Sequence, residues 1–130
     1  MKHLFLCLLF TVGALTACSS APSARRDGDA DLIAARTLAA AAPPEGQPLD
    51  PWLGTERARI TSERDAAYQR FEQAEKICWR RFAVNDCISR ARTARRATLE
   101  RLRQEDLALN AIERQRLTAA RLKQLERKQQ

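Results

Sequence analysis

The sequence predicts an all-α protein: an antiparallel helical hairpin with a long second helix, preceded by a disordered tether. Three observations carry that prediction. Residues 55–130 contain neither glycine nor proline and are dominated by Ala, Arg, Glu, Gln and Leu, residues that lose little rotamer freedom in a helix. Apolar side chains recur there at helical spacing in two runs, and alternation of period two is nowhere sustained. Two cysteines, Cys78 and Cys87, flank a polar break between those runs.

The first element is a leader. Met1-Lys2-His3 is followed by an apolar run over residues 4–15 and by small residues up to Cys18. A short positive start, about a dozen apolar residues and a small-residue exit are the marks of a secretory signal peptide, and the run is shorter than the roughly 20 residues a spanning helix needs. Leu15-Thr16-Ala17-Cys18 resembles the bacterial lipobox. The alternative is an ordinary signal peptide with a chance cysteine. The resemblance implies a cleaved signal over residues 1–17 and lipidation at Cys18. Because Ser19 rather than Asp follows, it also implies a place on the periplasmic face of a Gram-negative outer membrane. Several acyl chains hold a protein there far more firmly than one.

Residues 18–51 come next, as the lipidated N-terminus and a flexible tether. They hold all five prolines and no aromatic residue, so they offer little apolar surface to offset the entropy of ordering. Residues 31–42 are rich in Ala and Leu and suit a short helix ended by Pro43-Pro44, with few large side chains to dock it.

Residues 52–130 form the helical hairpin, with helices expected at about 55–82 and 87–128. Ile60, Ala67, Phe71, Ala74, Cys78 and Phe82 make one apolar stripe, and Ile88, Ala91, Leu99, Leu102, Leu109 and Ile112 make a second. Between them, Asn85 or Asp86 can cap a new helix. Neither stripe is buried alone, so folding back is the economical solution. Glu72 with Lys76, Arg96 with Glu100 and Arg101 with Glu105 stand at supporting spacing. On this reading Trp52 and Leu53 lie level with about Leu117, which leaves Leu122 and Leu125 as an overhang that frays or packs on another chain.

The cysteines bear on the same choice. In one continuous helix, positions 78 and 87 lie roughly 13 Å apart along the axis, too far for a disulfide, which needs α-carbons within about 7 Å. If the chain turns between them, the bond staples the bend. An intermolecular bridge and free thiols are the other outcomes.

The block Cys78-Trp79-Arg80-Arg81-Phe82-Ala83-Val84-Asn85-Asp86-Cys87, with Leu102-Arg103-Gln104-Glu105 and Leu107-Ala108-Leu109-Asn110, resembles a group of small exported Gram-negative proteins of uncharacterised function. The likeness spans roughly residues 60–125. It implies an exported helical unit with paired cysteines and supplies no activity.

Catalytic chemistry finds little to work with. The single histidine is His3, inside the leader, so the remainder has no imidazole for a nucleophile pair or a metal. Two thiols nine apart lack the Cys-x-x-Cys spacing of redox catalysts. No catalytic residue, metal ligand or cofactor is expected. The carboxylate pairs Glu105 with Asp106 and Glu72 with Glu75 read as solvated faces.

Charge is the remaining feature. From Trp52 onward there are 19 basic and 11 acidic side chains. Arg80, Arg81, Arg90, Arg92, Arg95, Arg96, Arg101 and Arg103 stand against only Asp86 and Glu100 in one stretch. With export removing nucleic acid as a partner, this basic surface suits an acidic envelope protein or an anionic envelope surface. The bland alternative is a solvated helical face. The expected function is a membrane-anchored, non-catalytic interaction module, or else a structural lipoprotein that oligomerises through its helices. Tyr68, Phe71, Trp79 and Phe82 are expected to fill the hairpin seam in preference to a lipid interface.

Overall fold

The computed structural model of the chain describes the backbone of residues 22–130 and the side chains from residue 28 onward. The expected signal over residues 1–17 and the lipidation site Cys18 lie outside the described residues. Three helices follow in order: α1 (Pro22–Ala40), α2 (Asp50–Cys78) and α3 (Val84–Gln129).

Each boundary has a local cause. Proline at the head of α1 has its torsion preset and lacks a donor the first turn would waste. After Ala40, the amide of Ala41 donates to Thr37 and Leu38 and that of Ala42 to Ala39, after which Pro43-Pro44 cannot continue the ladder. A turn closed by Gln47 N–H on the Pro44 carbonyl has Gly46 at φ 95°, a left-handed position that glycine takes without strain. Asp50-Pro51 then opens α2 with an acidic residue and a proline in the first turn, both suited to a helix N-terminus.

α2 and α3 form the antiparallel hairpin. Arg57 meets Glu113, Arg59 meets Glu105, Glu63 meets Arg101 and Cys78 meets Cys87, so partner numbers fall on α3 as they rise on α2. The core is a heptad seam: Leu53, Ile60 and Ala67 on one helix, Ile88, Leu102 and Leu109 on the other. Leu53, Ile60, Leu102 and Leu109 pack together and are at most 2% exposed. A seven-residue repeat keeps such a stripe facing its partner along two near-parallel helices.

Four sequence expectations need correction here. The first helix ends at Cys78 rather than Phe82, and the second starts at Val84. The bend therefore occupies residues 79–83, and Asn85 and Asp86 lie inside the first turn of α3 instead of capping it. Ala83 holds the cap position with no side-chain bond. A hairpin's register moves by twice any displacement of its turn, so Leu53 shares its cluster with Leu109 while Leu117 is exposed. Third, Trp79 and Phe82 do not fill the seam: Trp79 is 67% exposed and Phe82 fully so, because the earlier bend carries both past the last seam position. Fourth, part of the segment expected as a tether folds. α1 lies against α3, with Asp31, Ala34, Ala35 and Leu38 half-buried at helical spacing, and Leu38 reaches the core cluster beside Leu49 and Trp52. Alanines let two backbones approach closely, so docking here does not need large side chains.

Candidate functional site

Along the hairpin the described side chains sort into a closed ionic seam and an open basic bend. Arg59 donates to Glu63 at 2.7 Å and Glu105 at 2.6 Å, and Arg101 donates to the same two carboxylates at 2.7 and 2.6 Å. The four charges close a ring between Ile60 and Leu102, and Glu56 adds a further acceptor to Arg59 at 2.8 Å. Glu105 is only 3% exposed. It is therefore no solvated carboxylate, contrary to the expectation from its pairing with Asp106. A buried carboxylate is tolerated because both its oxygens accept charged hydrogen bonds.

The geometry of the ring shifts Glu63, Arg59 and Arg101. Hydrogen bonds from Arg101 first, and then Arg59, hold Glu63 below the ordinary carboxylate value of 4.5. Arg59 is raised, chiefly by its bond to Glu105, and Arg101 is raised, chiefly by Glu63. Groups so locked in their charged forms crosslink helices and are poor proton carriers.

Nearer the bend the seam thins. Arg95 occupies the heptad position between Ile88 and Leu102 and lays its guanidinium 4.2 Å from the Phe71 ring centre and 5.6 Å from that of Tyr68. Its Nε is buried without a hydrogen-bond partner. Ala67, Ala74, Ala91 and Ala94 leave a recess of about 230 Å³ beside it.

Of the eight arginines read as a basic surface, two thus turn inward: Arg95 to the aromatic seam and Arg101 to the ionic ring. Arg80, Arg81, Arg90, Arg92, Arg96 and Arg103 are exposed. Arg90 pairs with Asp86 at 2.9 Å and Arg103 with Glu100 at 3.5 Å. Arg80, Arg81, Arg92 and Arg96 have no ionic partner among the described residues. Of the charge pairs expected within helices, Arg101 with Glu105 forms, whereas Glu100 is taken by Arg103 and Gln104.

The bend itself is stapled. Cys78 and Cys87 are bonded with α-carbons 5.5 Å apart, and successive amides of Trp79, Arg80 and Arg81 donate back to Glu75, Ile77 and Cys78. Ile77, Trp79 and Phe82 stand exposed on either side of Arg80-Arg81 in the chain. Sequence reasoning missed Ile77, and the signal was available in the heptad count, which leaves position 77 off the seam. Among the described residues no cluster of His, Cys, Asp and Glu is placed to hold a metal ion, and no helix is long and apolar enough to cross a membrane. Comparison with protein-family models, with curated proteins and with solved structures finds no match for this chain.

Proposed function

We propose that this chain is a membrane-anchored envelope lipoprotein of the periplasmic side, a non-catalytic interaction module that works through its basic helical surface. The observation that carries the reading is the cluster of exposed arginines on the bend side of the hairpin, Arg80, Arg81, Arg92 and Arg96, without ionic partners among the described residues, while Arg59, Glu63, Arg101 and Glu105 close on one another. Helices that bind each other through a closed ionic ring leave the remaining cations for a second molecule. The lipobox-like Leu15-Thr16-Ala17-Cys18 supports the anchor.

A test in cells has two arms. Labelled palmitate should be incorporated into the chain and lost with Cys18→Ser. Crosslinking in intact cells should capture an acidic envelope component, and Arg92→Ala/Arg96→Ala should reduce that capture. Absence of label with the wild-type chain removes the anchor, and capture unaffected by the arginine substitutions removes the basic surface.

A second reading, the oligomerising structural lipoprotein, is favoured by Leu117, Leu122 and Leu125, all exposed on the end of α3. Salt separates the two, since an ionic contact weakens from low to high salt and apolar helix assembly does not.

A further inference from the structure

The bend combines features that a solvated turn does not need. Ile77, Trp79 and Phe82 expose three large apolar side chains within six residues, at the bend where α2 ends and α3 begins. Lys76, Arg80 and Arg81 flank them along the chain, all exposed. The nearest carboxylate on α3, that of Asp86, is already neutralised by Arg90. Fixed backbone geometry adds a third feature, because the disulfide and the amides of Trp79, Arg80 and Arg81 order the turn before anything binds.

We infer that the stapled bend, residues 76–82, docks into the headgroup layer of an anionic lipid bilayer, with Trp79 and Phe82 inserted at the interface and Arg80 and Arg81 on lipid phosphates. The inference rests on the interaction-module reading for its choice of surface and names the partner that surface takes at its tip. A bilayer fits better than a folded partner because the exposed apolar side chains are few, alternate along the chain with Arg80 and Arg81, and sit at the tip of the hairpin where α2 ends and α3 begins. A protein would have to supply a matching cavity, whereas the interface accepts any protrusion that is apolar at its end and cationic at its collar. Lysine and arginine stems also lie along the apolar layer while their heads stay with the phosphates. Ordering of the turn by the disulfide lowers the entropy lost on insertion.

Trp52 and Trp79 are the two tryptophans of the chain, so Trp52→Phe leaves the bend as the sole indole. The full chain carrying that substitution is placed on vesicles of phosphatidylcholine alone or with phosphatidylglycerol, both with brominated acyl chains that quench indole on contact. Trp79 fluorescence should be quenched and blue-shifted on the anionic vesicles only. Arg80→Ala/Arg81→Ala should lower the ratio of docked to free bends by about fivefold for each arginine, about 25-fold together. An unchanged helical spectrum shows that these exposed substitutions leave the fold intact.

Quenching absent on both vesicles, or equal on both, overturns the inference. So does a photocrosslinker at position 82 that captures a protein while Trp79 stays unquenched, which assigns the bend to an acidic protein. The anchor is read separately, by palmitate at Cys18, so either result can fail while the other stands.

Discussion

Arg95 shows how one residue sets the strength of its surroundings. It holds a seam position in the repeat Ile88, Arg95, Leu102, Leu109, where an apolar side chain would close the recess beside Ala67 and Ala91. Stacking on Phe71 at 4.2 Å contributes roughly 0.5–1 kcal/mol. Against that stands the buried Nε without a partner, a loss of about 1–3 kcal/mol. The second term is the larger. Arg95→Met, which replaces the guanidinium with a shorter unbranched apolar side chain beside the ring, should therefore stabilise the hairpin by about 1 kcal/mol, read as a higher urea midpoint with an unchanged slope. A midpoint lowered by a similar amount would show that the cation on the ring outweighs the orphaned donor. The same position explains why composition alone overcounts the basic surface: eight arginines are visible as letters, but the heptad decides that Arg95 faces the seam and that Arg101 faces Glu63 and Glu105.

At the scale of elements, the two long helices and their staple were legible because the absence of Gly and Pro after residue 54 and the two apolar stripes are strong signals. The place of the bend was not. Trp79-Arg80-Arg81-Phe82-Ala83 contains no breaker, whereas Asn85 and Asp86 advertise a cap that the chain does not use, since Asp86 instead binds Arg90 one turn on. Register, the exposure of Phe82 and the partners of Leu53 all follow from that one displaced turn. Docking of α1 was illegible for a different reason, because a face built on Ala34 and Ala35 carries almost no hydropathy contrast. What holds the bend where it is can be measured. Closing a loop as short as that between Cys78 and Cys87 limits the unfolded chain by about 2–3 kcal/mol in the chain-entropy model. Reduction should therefore lower the melting temperature by roughly 10 °C or more, and Cys78→Ala/Cys87→Ala should start low and ignore the reductant. A melting curve of the native chain that is indifferent to reductant would show that the seam alone fixes the bend.

For the whole molecule, the decisive asymmetry is that α3 outruns its partner. α2 has 29 residues and α3 has 46, so the hairpin is closed at the bend and open at the far end. Two ties reach beyond the last ion pair of the seam: Arg116 donates to the Pro43 carbonyl, and Lys123 meets Glu45 at 3.1 Å. The first is half-buried and the second exposed, a difference that ranks them, since exposed pairs contribute about 0–1 kcal/mol. Residues 121–130 are exposed throughout, and a helical end without tertiary packing is marginal in water. Ending the chain at Ala120 should accordingly change the stability of the hairpin by less than about 0.5 kcal/mol, with the urea midpoint as the measure. Arg116→Ala should cost about 1 kcal/mol, because it releases the loop that leads from α1 into α2. Amide exchange gives the same ordering without mutation: slow around Leu102 and Leu109, fast beyond residue 120 in dilute solution. Protection beyond residue 120 that grows with protein concentration, and is abolished by Leu122→Ala/Leu125→Ala, would mean that the overhang is the surface through which copies of the chain assemble, and would favour the structural lipoprotein over the monomeric module.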